Sequence, residues 1–354
     1  MKKALQVFCC LACLCPLLVH AIKVPGLYEA EVIVRNQSVE DRTAAIRACL
    51  SRVLVKLTGE RDVSGITELQ PILDQAGNFV QQYRYREMQL DASTSTGAPV
   101  PVQWQLAVKF DEVILNKSLR ESGIPVWGRE RPSILIWLAL EQANRRSFAD
   151  ADRVPELLDL VHGLAHRRGV SILFPLQDLD DERQIQPGDV WLGFQEPVMA
   201  ASGRYNTDVI LAASVGSPVP GIWEGRWRSY GADGLSHEWT TETDLLEGAL
   251  EEGFNGFVDI LAGEFVRTGS YTLLGDIEIT VGDVNSVEQY ARLINYLESL
   301  SSISEVHVME MRTGEVKLAL TAHGGEPVVV QTIGLGRTLE ALDNPDGHYY
   351  RLIP

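Results

Sequence analysis

Between Arg168 and Val215 the chain reads RGVSILFPLQDLDDERQIQPGDVWLGFQEPVMAASGRYNTDVILAASV, two apolar runs of strand length on either side of a helical segment. Parallel strands need a crossover of this kind, so the spacing predicts a parallel βαβ unit. Val170 to Phe174, stopped by Pro175, predicts a short strand buried on both faces, and Asp208 to Val215 predicts a second strand. Asp178, Asp180, Asp181 and Glu182 put four carboxylates into five residues, read as a loop that stays solvated unless its charges are paired. Pro187 and Gly188 break the chain, and Asp189 is the expected N-cap of a helix from Val190 to about Ser202. Open α/β sheets bind ligands beyond the carboxyl ends of their strands, which makes the acidic segment a partner-binding candidate.

The amino terminus points to export. Lys2 and Lys3 precede an apolar run, Ala4 to Val19, and Val19-His20-Ala21 has the small residues of a cleavage site. Residues 1–21 are therefore read as a cleaved signal peptide, with an acylated Cys13 or a retained anchor as the alternatives. Four of the five cysteines (Cys9, Cys10, Cys13, Cys15) fall in that segment, and Cys49 stands alone after it, too few for an intrachain disulfide or a cysteine-based zinc site. Removing Lys2 and Lys3 from 31 basic residues leaves 29 against 48 acidic ones, a net charge of 29 − 48 = −19. Such a surface is repelled by phosphate backbones, so nucleic acid is not expected as a partner. No later stretch approaches a membrane-spanning length, and the mature chain is expected in the periplasm.

Three further units follow from the periodicity. Residues 22–128 predict an N-terminal α/β domain: a strand from Leu27 to Val34, then a helix with Ile46, Cys49, Leu50, Val53 and Leu57 on one face, ended by Gly59. A second helix is expected from Thr67 or Leu69 to about Arg86, a loop from Asp91 to Pro101, and a strand in which Val102, Trp104, Leu106, Val108 and Phe110 alternate. Residues 129–268 predict a central α/β layer domain, with a strand from Ser133 to Leu140, an amphipathic helix carrying Leu157, Leu158, Val161 and Leu164, a hairpin about residues 231–234, and a closing helix. Residues 269–354 read as βαββα, a ferredoxin-like split βαβ module. Its first helix opens with a Ser286/Gln289 capping box and is expected to bury Val287, Tyr290, Ile294 and Leu297; its second is expected from Pro327 to Leu342. The fold class is thus α/β and α+β, in several domains.

The chemistry-bearing residues are sparse. His162 and His166 stand four apart on a predicted helix, the spacing of two zinc ligands, but HExxH is missing and no third ligand can be nominated, so they are read as solvated and only weak metal candidates. The Asp178 to Glu182 cluster lacks the alternation and central glycine of a calcium loop. Ser202 is not set in a GxSxG elbow and is read as the end of a helix with Gly203 beyond it. Gly334-Leu335-Gly336 lacks the third glycine of a dinucleotide site, and no phosphate-binding loop motif occurs, so no cofactor is expected. The tryptophans are read as packing residues rather than a sugar platform.

Several phrases together resemble DUF2066, an exported bacterial family of unknown function: VLVKLTGERDV (Val53 to Val63), RPSILIWLAL (Arg131 to Leu140), RRGVSILFPLQDLDD (Arg167 to Asp181), GDVW (Gly188 to Trp191) and ASGRYNTDVILAASV (Ala201 to Val215). The resemblance implies envelope export and an α/β build, and carries no catalytic residues. By element order the middle segment also resembles the N-terminal domain of the Tol system's propeller protein and the activators of peptidoglycan synthases, which implies binding to other envelope proteins. The expected function is a non-enzymatic binding or assembly-support protein of the envelope. The rival expectations are a hydrolase working through Asp178, Asp180 and Asp181, and a metal-binding protein. The export reading is tested by amino-terminal sequencing of the processed protein, expected to begin at Ile22 in the soluble periplasmic fraction; a membrane-bound chain beginning at Met1 or at an acylated Cys13 would contradict it.

Overall fold

The computed structural model describes residues 26–88, 103–129, 131–143, 145–231, 234–267, 274–300, 302–323, 325–336, 338–342 and 347–353. The leader read in residues 1–21 and the loop read in residues 91–101 lie outside them. The protein is of mixed α/β and α+β class, with three separate sheets.

The first sheet is fed by β1 (Glu29–Val34), α1 (Val39–Thr58), α2 (Gln70–Asp74), β2 (Val80–Met88), β3 (Gln103–Phe110) and α3 (Glu112–Glu121), and its antiparallel strand order is β1-β3-β2. Ser38 caps α1 by accepting from the Asp41 amide at 3.1 Å. The apolar face of α1, with Cys49, Leu50, Val53, Leu54 and Leu57, is fully buried against Ala30, Val32, Leu106 and Val108. The long second helix expected up to Arg86 is not formed. After α2 and a turn of 3₁₀ helix, residues 80–88 are a strand paired with β3 from Phe110 to Gln103. Tyr85 sets its ring edge-on to Trp104 at 6.5 Å there, a cross-strand packing that overrides the helical propensity of the glutamines and arginines.

The central unit comprises β4 (Ser133–Gln142), β5 (Arg145–Phe148), α4 (Pro155–Arg168), β6 (Ser171–Leu173), α5 (Leu179–Gln184), α6 (Pro187–Leu192), α7 (Gln195–Ser202), β7 (Val209–Val219), β8 (Ile222–Gly231), β9 (Gly234–Thr243) and α8 (Leu246–Arg267). The path is β5-β4-β7-β8-β9, with β6 also on β4. β6 and β7 are both parallel to β4 and lie on either side of it, so the crossover between them spans a strand rather than joining neighbours. The strand buried on both faces is β4, not β6: Ser133 to Leu140 are all buried, whereas β6 is a three-residue edge strand with Leu173 exposed. The single helix expected from Val190 to Ser202 is two, α6 and α7, divided by Gly193 in the left-handed region. Asp189 sits at the third position of α6 rather than at its cap, and its carboxylate accepts from the Gln186 amide at 2.7 Å. One face of the sheet is covered by α4 and α8, the other by α6 and α7 with Trp137 at its centre. Trp227 and Trp239 are cross-strand partners and stack at 6.2 Å, with Phe257 of α8 continuing the stack.

The third unit runs β10 (Leu274–Val284), α9 (Val287–Ser299), β11 (Ile303–Arg312), β12 (Gly314–His323), α10 (Gly325–Leu335), β13 (Leu339–Leu342) and β14 (His348–Leu352), in the order β11-β12-β10-β14-β13. β12 lies between β10 and β11, the split βαβ arrangement, but the helix expected to Leu342 stops at Leu335 and a β13–β14 hairpin follows, with β14 parallel to β10. Ser286 caps α9 through the Gln289 amide at 3.2 Å, while the Gln289 side chain accepts from the Asn285 amide at 2.7 Å. Val287 is 78% exposed, and the buried face of α9 is centred on Leu293, Tyr296 and Leu297.

Between the first two sheets, residues 123–129 and Arg131 form a packed joint. Trp127 is buried in the central core, and its amide donates to Leu57 O at 2.6 Å. Arg131 is 5% exposed and donates to five backbone carbonyls, those of Lys56, Trp127, Gly128, Arg168 and Gly169, at 2.7 to 3.3 Å. Its guanidinium also lies 4.3 Å from the Trp127 ring centre. Helices leave their last carbonyls unsatisfied and carry partial negative charge there. Arg131 supplies the donors for the ends of α1 and α4 together. Gly169 ends α4 at φ 69°, and a side chain there would meet Arg131 at 2.8 Å, so only glycine lets the guanidinium in. Arg168, also buried, donates to Gly59 O at 2.8 Å and pairs with Asp259 of α8 at 2.7 Å.

Arg131→Met is expected to cost on the order of 3 kcal/mol or more, because it orphans several buried carbonyls at once. Equilibrium urea unfolding checks this; a cost under about 1 kcal/mol would mean that water replaces the guanidinium. Cys49 is buried, 3.6 Å from Ala30 O, and burial pushes its thiol pKa up to about 12. Slow labelling by thiol reagents in native protein is expected, and labelling within minutes would contradict that burial.

Candidate functional site

The acidic segment folds into α5 and closes on itself. Asp178, in extended conformation, is the N-cap, and its Oδ1 accepts from the amides of Asp180 and Asp181 at 3.1 Å. Arg204, from the turn after α7, takes the same carboxylate with both terminal nitrogens, at 2.6 and 2.8 Å, and reaches Asp181 Oδ1 at 3.2 Å. The Asp181 side chain is 2% exposed. Its Oδ2 accepts from the Tyr205 hydroxyl and, at 2.9 Å, from the Gln177 amide. The Tyr205 hydroxyl accepts in turn from the Leu176 amide at 2.8 Å, and the ring meets Trp137 edge-on at 6.3 Å. Gln177 is held at φ 54°, a conformation unfavourable for a residue with a Cβ, with its side chain on Ala149 O at 2.6 Å.

The four carboxylates therefore divide into two kinds. Asp178, part-exposed, and Asp181, buried, are both paired with Arg204, which is how the repulsion expected of so dense a cluster is removed. Asp180 is exposed, with Arg183 3.5 Å away, and Glu182 is exposed with its carboxylate free of partners among the described residues. The bidentate guanidinium, helped by the Asp181 amide, holds the Asp178 carboxyl down at about 2, while burial and then the Asp181 carboxylate push the Tyr205 phenol up to about 12. Arg204 and Tyr205 were not visible as part of this site in the sequence. The only signal was their place in the short turn GRY after α7, some 25 residues downstream. Leu176 and Leu179, on the outer side of the same segment, are 71% and 68% exposed.

The other candidates are dispersed. His162 and His166 are both exposed on α4; the first meets the Phe174 ring edge-on at 5.3 Å, and partial burial followed by nearby Lys56 lowers the pKa of the second. Among the described residues no group of three or more His, Cys, Asp or Glu side chains could hold a metal ion. Ser202 ends α7 as read, but Gly203 is right-handed and opens a 3₁₀ turn; the left-handed residue is Asn206. The Ser202 hydroxyl accepts from Trp137 Nε1 at 2.9 Å and donates to Val198 O at 2.6 Å, a buried structural role rather than a nucleophile's. All seven tryptophans are buried or half-buried. Among the described residues no helix is long and apolar enough to cross a membrane.

Compared with known families, residues 21–128 match a domain of unknown function, DUF8605. The match covers the first sheet and ends before β4. It overturns the resemblance to DUF2066, which is not matched. Of the five phrases behind that resemblance only Val53 to Val63 lies inside the matched residues; the others encode β4, the end of α4 with β6, α6, and the α7–β7 passage, whose apolar runs and breaks any layered α/β unit needs. No curated protein matches the chain.

The Asp178–Arg204 pair has a pH signature. The folded carboxyl lies below its usual 3.8, so its stabilisation is complete above about 4 and is lost as pH falls through about 2. Wild type is expected to lose thermal stability in that window more steeply than Asp178→Asn. Parallel Tm-against-pH curves for the two proteins would contradict the pairing.

Proposed function

We propose that the protein is exported to the periplasm and works there as a non-enzymatic binding or assembly-support protein of the cell envelope, meeting another envelope protein through the outer side of the α5 segment. The observation that carries this reading is the division of the acidic cluster. A hydrolase acting through these carboxylates needs one that is protonated near neutral pH and one free to accept a proton. Asp178 is held at about 2 by Arg204, which leaves it no proton to give near neutral pH, and both oxygens of the buried Asp181 are taken up by Arg204, Tyr205 and the Gln177 amide. What faces outward is Leu176 and Leu179 beside Asp180 and Glu182, an apolar spot with an acidic edge. Apolar centre and charged rim is the anatomy of a protein contact, and the charge sign suits a basic partner surface. The strongly acidic chain and its leader-like amino terminus support the same reading.

Crosslinking and pull-down from intact envelopes, with wild type beside Leu176→Asp/Leu179→Asp and beside Asp180→Asn/Glu182→Gln, tests it. The leucine variant is expected to lose the captured partner, and the charge variant to associate more slowly and with weaker salt dependence. Both should keep wild-type stability within about 0.5 kcal/mol, since only surface groups change. Unchanged capture by both variants would place the contact elsewhere. Turnover of peptidoglycan that disappears in Asp180→Asn would replace binding with catalysis.

A further inference from the structure

The ligand end of the central sheet holds a second feature. We infer that the cleft at the carboxyl ends of β4 and β7 binds a small zwitterion of the amino-acid type, independently of the α5 contact. The cleft, about 170 Å³, is lined by Glu141, Arg146, Trp191, Ser214, Glu224 and Arg226 among others. β4 and β7 are parallel neighbours, and the cleft lies beyond the Leu140–Val215 step where their register ends, where open sheets place ligands.

One wall is already closed. Arg146 pairs with Glu141 at 2.8 Å and lies 4.4 Å from the Trp191 ring centre. Trp191 rests on Gly216, where a side chain would come within 2.8 Å of the indole, so this glycine is what admits the ring. On the opposite side Ser214 is cross-strand to Arg226, and Gly216 to Glu224, which puts all four on one face of the sheet. The Arg226 guanidinium and the Glu224 carboxylate have no ion pair or hydrogen bond among the described residues. Ser214 lines the cleft and is only 2% exposed, and its buried hydroxyl has no hydrogen-bond partner among the described residues. A buried hydroxyl asks for one.

The charges decide the ligand class. Two arginines against two glutamates make the lining neutral, so a phosphate or dicarboxylate would meet Glu141 and Glu224, and a bare cation would meet Arg226. A zwitterion satisfies both free groups: its carboxylate accepts from Arg226 and Ser214, its ammonium donates to Glu224, and its side chain lies along Trp191. Glu224 and Arg226 are two residues apart on one strand, about 7 Å along it, and both side chains are long enough to converge on the head of one α-amino acid. The cleft falls well below the roughly 300 Å³ at which drug-sized pockets begin, which limits the ligand to a single small molecule.

Isothermal titration of the full chain with each proteinogenic amino acid, and with the amide and N-acetyl forms of the tightest, tests this. Saturable binding is expected for a free amino acid, weakened about tenfold or more in both blocked forms because each leaves one charged group unpaired. Arg226→Gln and Glu224→Gln should weaken it similarly, and Ser214→Ala less. On the wild-type protein the Trp191 indole N–H resonance should shift along the same titration, a readout that needs no variant to fold. No saturable heat up to about 10 mM for any amino acid, blocked forms that bind as well as the free one, or binding that leaves the Trp191 resonance in place would each overturn the assignment.

Discussion

The packing of the first two sheets rests on one buried cation. Arg131 stands where α1 and α4 both end and gives its donors to the carbonyls of Lys56, Arg168 and Gly169, with Trp127 beneath its guanidinium. Among the described residues no carboxylate is a hydrogen-bond partner of Arg131; the balancing charge is the partial negative charge of two helix termini. Burial pushes its pKa down, and a guanidinium bears this where an ammonium would give up its proton. Lys56 shows the contrast, drawn down to about 8 first by burial and then by Arg131 itself, although its ammonium donates to Gly26 O and Glu29 O at 2.9 Å. Because Arg131 stands two residues before β4 and Gly169 two residues before β6, the same contact lies at the start of both parallel strands. Ser133 and Asp208 then lock the starts of β4 and β7, with the Asp208 carboxylate accepting from the Ser133 amide at 2.7 Å and hydroxyl at 2.6 Å.

Charge is handled in the same way at the acidic segment. Repulsion among four close carboxylates is removed by bringing a cation and a phenol from the far end of α7, which spends two of the four on holding α5 to the sheet. The remaining two define the outer surface beside Leu176 and Leu179. At the carboxyl ends of β4 and β7 the pattern differs, since one ion pair is closed there and one pair of opposite charges is left open. A segment whose inner carboxylates are paired and whose outer side exposes leucines with an acidic edge suits a protein surface, whereas a cleft with unsatisfied polar groups suits a small polar ligand.

Much of the architecture was legible in residue spacing. The α1 stripe, the β3 alternation, the β8–β9 hairpin and the Ser286 cap each rest on local chemistry, and the class they add up to is the one observed. The misreadings share a cause in long-range pairing. Residues 80–88 carry helix-favouring side chains and become a strand because β3 offers a partner; residues 339–342 leave α10 because β14 does; and β6 looks central by its apolar run but is an edge. At the acidic segment the carboxylates were visible and their partners were not, since nothing local ties Arg204 to Asp178. The cleft left still less trace, because Glu141, Trp191, Ser214 and Arg226 come from four elements and form no motif. DUF8605 in place of DUF2066 makes the same point: short apolar phrases report a layer fold, not a lineage.

The central claim is that the first two sheets form one cooperative unit through the Arg131 joint, and native-state hydrogen exchange tests it most directly. Amides in α1 and β3 should open with the same free energy, and the same denaturant dependence, as those in β4 and α4, because releasing either helix end strips the carbonyls of both. Exchange of the α1 and β3 amides at a markedly lower free energy, with β4 and α4 still protected, would contradict it and show two sheets that merely touch.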